Sequence, residues 1–192
     1  MGSLKLFIPS LAEVLGVNRH SLYERQRVLM HENIITTIPG RGPGSGVRVS
    51  PRSVGVLLIS FLATDGLTDA GPVTRELAQA KYIEDSYDEP DNPDESIAFA
   101  ARVNQRRASR TFRAAIINAL AFEDAASVVR AVKVERNYRQ ATIFFEEAPA
   151  WADYGASQFD LPHDRLHTVA WLPGDCIREI ERMIRDASDE EE

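Results

Sequence analysis

The sequence predicts an α+β chain in two parts. An N-terminal helical unit closed by a β-hairpin comes first, then a module with a long helix, about three antiparallel strands and a C-terminal helix. Three observations predict it. Short apolar stretches at helical spacing give way near Ile34 to β-branched residues, around a run of four glycines and two prolines at 39–46. Residues 128–135 and 139–146 then alternate around Asn137 and Tyr138, the pattern of a second hairpin. Finally, Ile177, Ile180 and Ile184 recur at helical spacing close to the C-terminus.

Composition bounds the function classes. The 192 residues are 44% hydrophobic and 27% charged, enough for one large domain or two small ones. The longest apolar run, 54–62, is broken by Gly55 and Ser60 and falls short of the ~20 residues of a membrane-spanning helix. The apolar stretch at 4–8 is too short for a signal peptide. A single cysteine, Cys176, excludes an internal disulfide and any multi-cysteine metal site. A cytoplasmic location, with no membrane contact, no bound metal and no cofactor, is therefore expected. The net charge of −7 is segregated: residues 1–53 carry 7 Lys and Arg against 3 Asp and Glu, and residues 96–145 carry 9 against 3. The acids concentrate at 84–95, with 7 and no base, and at 146–192, with 13 against 4. An anion would dock on the N-terminal quarter or on 96–145.

Taken in order, Ser10 precedes a helix over 11–15 of little more than one turn, which Gly16 ends. Asn18 caps a second helix beginning at Arg19, with Leu22, Val28 and Leu29 as its apolar positions. Strands are expected at 34–38 and 47–49, joined by the glycine-rich tip. Ser50 and Pro51 stand in cap-then-proline order and open a helix reaching about Ala63. Residues 64–71 read as a loop and 72–82 as a short helix. Residues 84–95, acidic and proline-broken, read as a solvated linker. A helix over 96–122, with a break near Ser109, precedes the second hairpin. A third strand at 166–172 then leads through Pro173 and Gly174 into the last helix, and the end of the chain is too charged to pack. This divides the chain into 1–65, a connector at 66–95, a module at 96–187 and an acidic tail at 188–192.

Residues 11–23, 29–35 and 40–47 together carry a resemblance. Ala12 is small where two helices would cross, Gly16 supplies a tight turn, Val17 and Leu22 plug the corner, and Asn18 satisfies free N–H groups. Asn33 can take the left-handed cap after the second helix. This run resembles the winged helix-turn-helix of bacterial and phage transcription regulators, closest to the DNA-binding half of GntR-type proteins. The resemblance covers residues 10–49 only and implies that a recognition helix at 19–31 enters the major groove while a wing at 39–46 lies on the minor groove. On that basis Arg19, His20 and Tyr23 are expected to read bases. Ser21 and Arg25 or Arg27 would hold phosphates, with Arg41 at the wing tip and Arg48 at its base. Two features depart from the usual pattern. Arg25 stands where a small or apolar residue points inward, and the helix that normally comes first is missing or very short, so helix 51–63 is expected to complete the core.

The second half carries no comparable motif. Arg102, Arg106, Arg110 and Arg113 would form one basic stripe on a continuous helix, with Arg107 close by, either contacting nucleic acid or pairing with the acidic segments. His163 and His167 have the spacing of a helical metal pair, but the residues after them read as a strand and no further ligand lies near. Cys176 reads as a small core residue. No phosphate-binding loop, dinucleotide fingerprint or nucleophile elbow is present, and an enzyme is not expected. The expected function is that of a sequence-specific regulator binding double-stranded DNA as a homo-oligomer, preferably a dimer, with the 96–187 module dimerising or holding a protein partner. The alternatives are a phage-type packaging protein resembling a small terminase subunit, and an adaptor whose winged helix binds protein.

Overall fold

The computed structural model describes residues 2–38, 40, 46–85, 101, 104, 108–146, 151–155 and 168–189. Its elements are α1 (Leu4–Leu15), α2 (Arg19–His31), α3 (Pro51–Ala63), α4 (Ala70–Ala78), β1 (Lys81–Asp85), α5 (Phe112–Ala121) and α6 (Glu123–Ser127). There follow β2 (Val129–Glu135), β3 (Gln140–Phe145), β4 (Trp151–Gly155), β5 (Val169–Pro173) and α7 (Gly174–Asp189). The fold is α+β, with all sheet pairs antiparallel in the order β1-β4-β3-β2-β5.

Helix α1 starts seven residues before the expected turn. Leu4, Phe7, Ile8 and Leu11 repeat at spacings of three and four, and all four are buried. Pro9 lies inside the helix on its exposed side and does not break it. Its missing N–H leaves a single carbonyl without its helical partner, that of Lys5. Gly16, at φ 64, then closes α1 with bonds from its own N–H to Glu13 and from Val17 to Ala12. Asn18 caps α2 by accepting from His20 N–H at 2.8 Å. Asn33, at φ 54, ends α2 as expected: its N–H reaches Met30 at 3.1 Å and that of Ile34 reaches Leu29 at 2.9 Å.

The first hairpin is smaller than expected. The turn at Asn33 draws Ile34 and Ile35 into the closure of α2, so among the described residues of the hairpin only Ile38 bridges to Gly46, through two 2.8 Å bonds. The second arm pairs instead with the N-terminus. Leu4 donates to Val47 and Val49 to Gly2, both at 2.8 Å. Ser50 and Ser53 form a capping box at the start of α3, where ten of thirteen residues are buried. That helix contributes Val54, Leu57, Leu58 and Ile59 to the core.

Residues 70–85 differ from the expected single helix and linker. Helix α4 stops at Ala78, and 81–85 form β1, which pairs with β4 while Tyr82 N–H donates to the Arg110 carbonyl at 3.2 Å. Pairing partners 70 residues away cannot be seen in so short a stretch. Residues 96–100, 102, 103 and 105–107 of the expected long helix lie outside the described residues; a bend at Ser109 precedes a new cap, Thr111 Oγ1 accepting from Ala114 N–H, and α5 begins at Phe112. The second hairpin, the third strand and the last helix stand where expected, as β2, β3, β5 and α7. The sheet has five strands rather than about three, because β1 and β4 are too brief to show alternation.

One sheet face is buried, with Val132, Val134, Ala141, Ile143, Ala152, Tyr154 and Leu172 facing α5 and α7. Gly174 makes the strand-to-helix junction possible, since a Cβ there would lie 2.0 Å from the Val129 carbonyl oxygen. The buried apolar side chains form one cluster from Leu4 to Ile184. Helix α3 packs on α2 and α4 on one side and on α5, β2 and β5 on the other, so the 1–65 unit and the C-terminal module share this core.

Candidate nucleic-acid interface

The α1–α2 corner is built as its residues require. Ala12 is 4% exposed, Leu22 is fully buried, and Val17 packs against the same cluster. Helix α2 thereby turns one face inward and leaves Arg19, His20, Arg27 and His31 exposed. Arg19 and His20 stand at its N-terminus beside the Asn18 cap, where free N–H groups and the helix dipole favour an anion. Arg19 and Arg48 make no ion pair among the described residues. Arg27 is exposed but paired with Glu24 at 3.0 Å. Ser21 is half-buried, and Arg48 is exposed where the hairpin meets the N-terminus. Arg41 and the rest of the glycine-rich segment 39–46, apart from Gly40 and Gly46, lie outside the described residues.

Two of the expected contact residues are committed within the protein. Tyr23 is half-buried against the core, and its hydroxyl donates to the Lys5 carbonyl at 3.1 Å, the one that Pro9 leaves free. Arg25 is 2% exposed. Its guanidinium donates to the carbonyls of Ser60 (2.9 Å), Thr64 (2.7 Å) and Asp65 (3.0 Å), and stands 5.7 Å from the Phe61 ring centroid. This corrects its assignment to a phosphate. The position does point inward, as the pattern demands, and a long cation fits there because it meets the carbonyl end of α3. Burial pushes the guanidinium below its ordinary pKa and Arg136 adds to this, while Asp65 pulls it back up. An arginine stays protonated through such a shift.

Arg136, which sequence reasoning did not single out, reaches the same helix end from the sheet. Its Nε donates to Leu62 O at 2.9 Å, a second nitrogen meets Phe61 O at 3.4 Å, and the third pairs with Asp65. Two arginines 111 positions apart thus share the last carbonyls of α3, one from each half of the chain. On the other side of α2, Arg75 donates to Glu32 O at 3.1 Å and fixes the end of α2 on α4. Lys5 is the other residue missed. It is exposed and unpaired among the described residues, and the Tyr23 hydroxyl bond ties its backbone to α2. The only sequence signal for either was Pro9, whose helical position implies a free carbonyl at Lys5.

The arginine stripe does not continue through a single helix. Arg110 lies in the extended segment before α5 and Arg113 lies within it, while Arg102, Arg106 and Arg107 are outside the described residues. His163 and His167 are outside them as well. Cys176 is half-buried against the core, its thiol 3.7 Å from the Val14 carbonyl, and burial together with Asp175 raises its pKa. Among the described residues no three His, Cys, Asp or Glu side chains could hold a metal ion, and no helix is long and apolar enough to cross a membrane. No known family, curated protein or solved structure matches the chain.

Proposed function

We propose that the chain is a regulator that binds double-stranded DNA, placing α2 in the major groove and the glycine-rich hairpin against the minor groove. The observation that carries this reading is the exposed face of α2. Arg19 and His20 lead it, and no carboxylate among the described residues neutralises Arg19. The neighbouring Lys5 and Arg48 extend the positive surface, and the short bridges at Ser3, Ile38, Gly46 and Arg48 supply the base of a wing. Arg19 and His20 are the base-reading candidates, with Ser21, Arg27, Lys5 and Arg48 on the phosphates. A helix of this kind contacts few base pairs, so the protein acts as a homo-oligomer, preferably a dimer. The outer edge of β5 supports that reading, with Val169 36% and Trp171 57% exposed.

Fluorescence anisotropy with random duplex DNA over a salt series tests the proposal. Wild-type affinity should fall steeply with salt, by about 0.9 in log–log slope for each phosphate contact. The pair Arg19→Glu with Arg48→Glu should reduce affinity at least tenfold without changing the unfolding midpoint. Absence of binding at low salt removes the DNA reading in favour of a protein-binding adaptor. Sedimentation of the same samples separates a dimer from the ring that a packaging protein would form.

A further inference from the structure

A cavity of about 250 Å³ lies between α5 and α6 and the buried face of the sheet. It exists because α5 presents Ala115 and Ala119, one turn apart, to the large side chains of Ile143 and Phe145. Two alanines leave unfilled the space that two leucines would occupy. An apolar cavity of about 150 Å³ holds a benzene ring, so this one accommodates one or two fused rings. Its polar lining is sparse. Asn118, whose amide has no hydrogen-bond partner among the described residues, is one of the lining residues, and the exposed Asp124 is another. Among the described residues no Lys, Arg or His lines it. An anionic ligand would meet Asp124 with no compensating cation among the described residues, whereas a neutral ring bearing one N–H or O–H group would satisfy Asn118.

The other side of α5 rests on α3. A Cβ at Gly55 would lie 3.3 Å from Ile116 Cγ2, 3.5 Å from Ile117 and 3.6 Å from Leu120, so the two helices meet almost backbone to side chain. Little can be absorbed at such a contact, and a displacement of α5 passes to α3, which Arg25 in turn bonds to α2. We propose that the cavity is a binding site for a small neutral aromatic molecule with a single hydrogen-bonding group, and that α5 conveys its occupancy to α3. The proposal stands apart from DNA binding and is read on the protein alone.

The test is a ¹⁵N–¹H NMR titration of the full chain with indole as the probe and indole-3-acetate as its anionic counterpart. Indole should give saturable shifts at the amides of Ala119, Val129 and Ile143, and also at Gly55 across α5. Indole-3-acetate should bind at least tenfold more weakly. Ala119→Leu, which fills the void, should abolish the shifts at Val129 and Ile143. Should that variant not fold, Asn118→Leu, at a half-buried position, should weaken indole about tenfold. No saturable shift at the lining with indole overturns the site. Equal binding of the anion overturns the ligand class, and shifts at the lining without one at Gly55 overturn the coupling.

Discussion

Replacing Arg25 with Met removes a buried cation while keeping most of its apolar stem, and the structure sets the cost. Three carbonyls lose donors at 2.7–3.0 Å, and the bond to Ser60 is fully buried. Bonds from a charged donor contribute about 1.5–3 kcal/mol each, and an orphaned buried carbonyl costs about 1–3 kcal/mol. Water can reach Thr64 and Asp65, which lie in part-buried bonds, and the variant no longer desolvates a guanidinium. The loss expected is about 3 kcal/mol. With an m-value of about 2 kcal/mol/M in urea, the unfolding midpoint should drop by about 1.5 M. Lysine, with one compact ammonium in place of the fork, should restore less than half. Folded Arg25→Met should keep the wild-type salt slope for DNA, because the side chain reaches no solvent face. A midpoint within about 0.5 M of wild type, together with a slope reduced by about 0.9, would refute the reasoning and return Arg25 to the phosphates.

Three further outcomes are expected. Tyr23→Phe should cost about 0.5–1 kcal/mol, and Pro9→Ala, which restores an N–H to the Lys5 carbonyl, should be stabilising. Calorimetry on the double-mutant cycle should show the tyrosine substitution costing less in the alanine background, and strict additivity would count against a shared carbonyl. Gly174→Ala places a methyl 2.0 Å from the Val129 carbonyl oxygen and should cost about 3 kcal/mol or more, a fall of about 6–12 °C in melting temperature. A variant melting like wild type would mean that the β5–α7 junction yields freely. Cys176, its pKa raised first by burial and then by Asp175, should react with iodoacetamide at a pH midpoint above that of the urea-unfolded chain. Because the folded value is the higher, this thiol's contribution to stability is intact below the unfolded pKa and declines as pH rises through the folded one. A midpoint at or below the unfolded one would contradict that environment.

Local signals carried much of the fold. Gly16, Asn18, Asn33 and the Ser50–Pro51 pair each act through backbone atoms within a few residues of themselves, so their effects were legible where they stood. The alternation of β2 and β3 and the isoleucines of α7 were legible for the same reason. Strands β1 and β4 were not, since five residues each are too few for a period and only their mutual pairing makes them strands. The first turns of α1 were not legible: the helix is expected only from Leu11, after Ser10, although Leu4, Phe7, Ile8 and Leu11 share one buried face and outweigh the one bond lost at Pro9.

The candidate interface divides in the same way. The pattern identified an exposed helix led by Arg19 and His20, because an amphipathic period determines which face turns outward. It also marked Arg25 as an inward position held by the wrong kind of residue. The sequence by itself thus determined the helix boundaries set by caps, the α+β class and the basic character of the N-terminal quarter. Tertiary structure alone decided that Arg25 and Arg136 meet at the end of α3, that Tyr23 is held by Lys5, and that Ala115 and Ala119 face a void. Those outcomes depend on which groups lie a few ångströms apart after more than a hundred intervening residues have folded, and no local period encodes that distance.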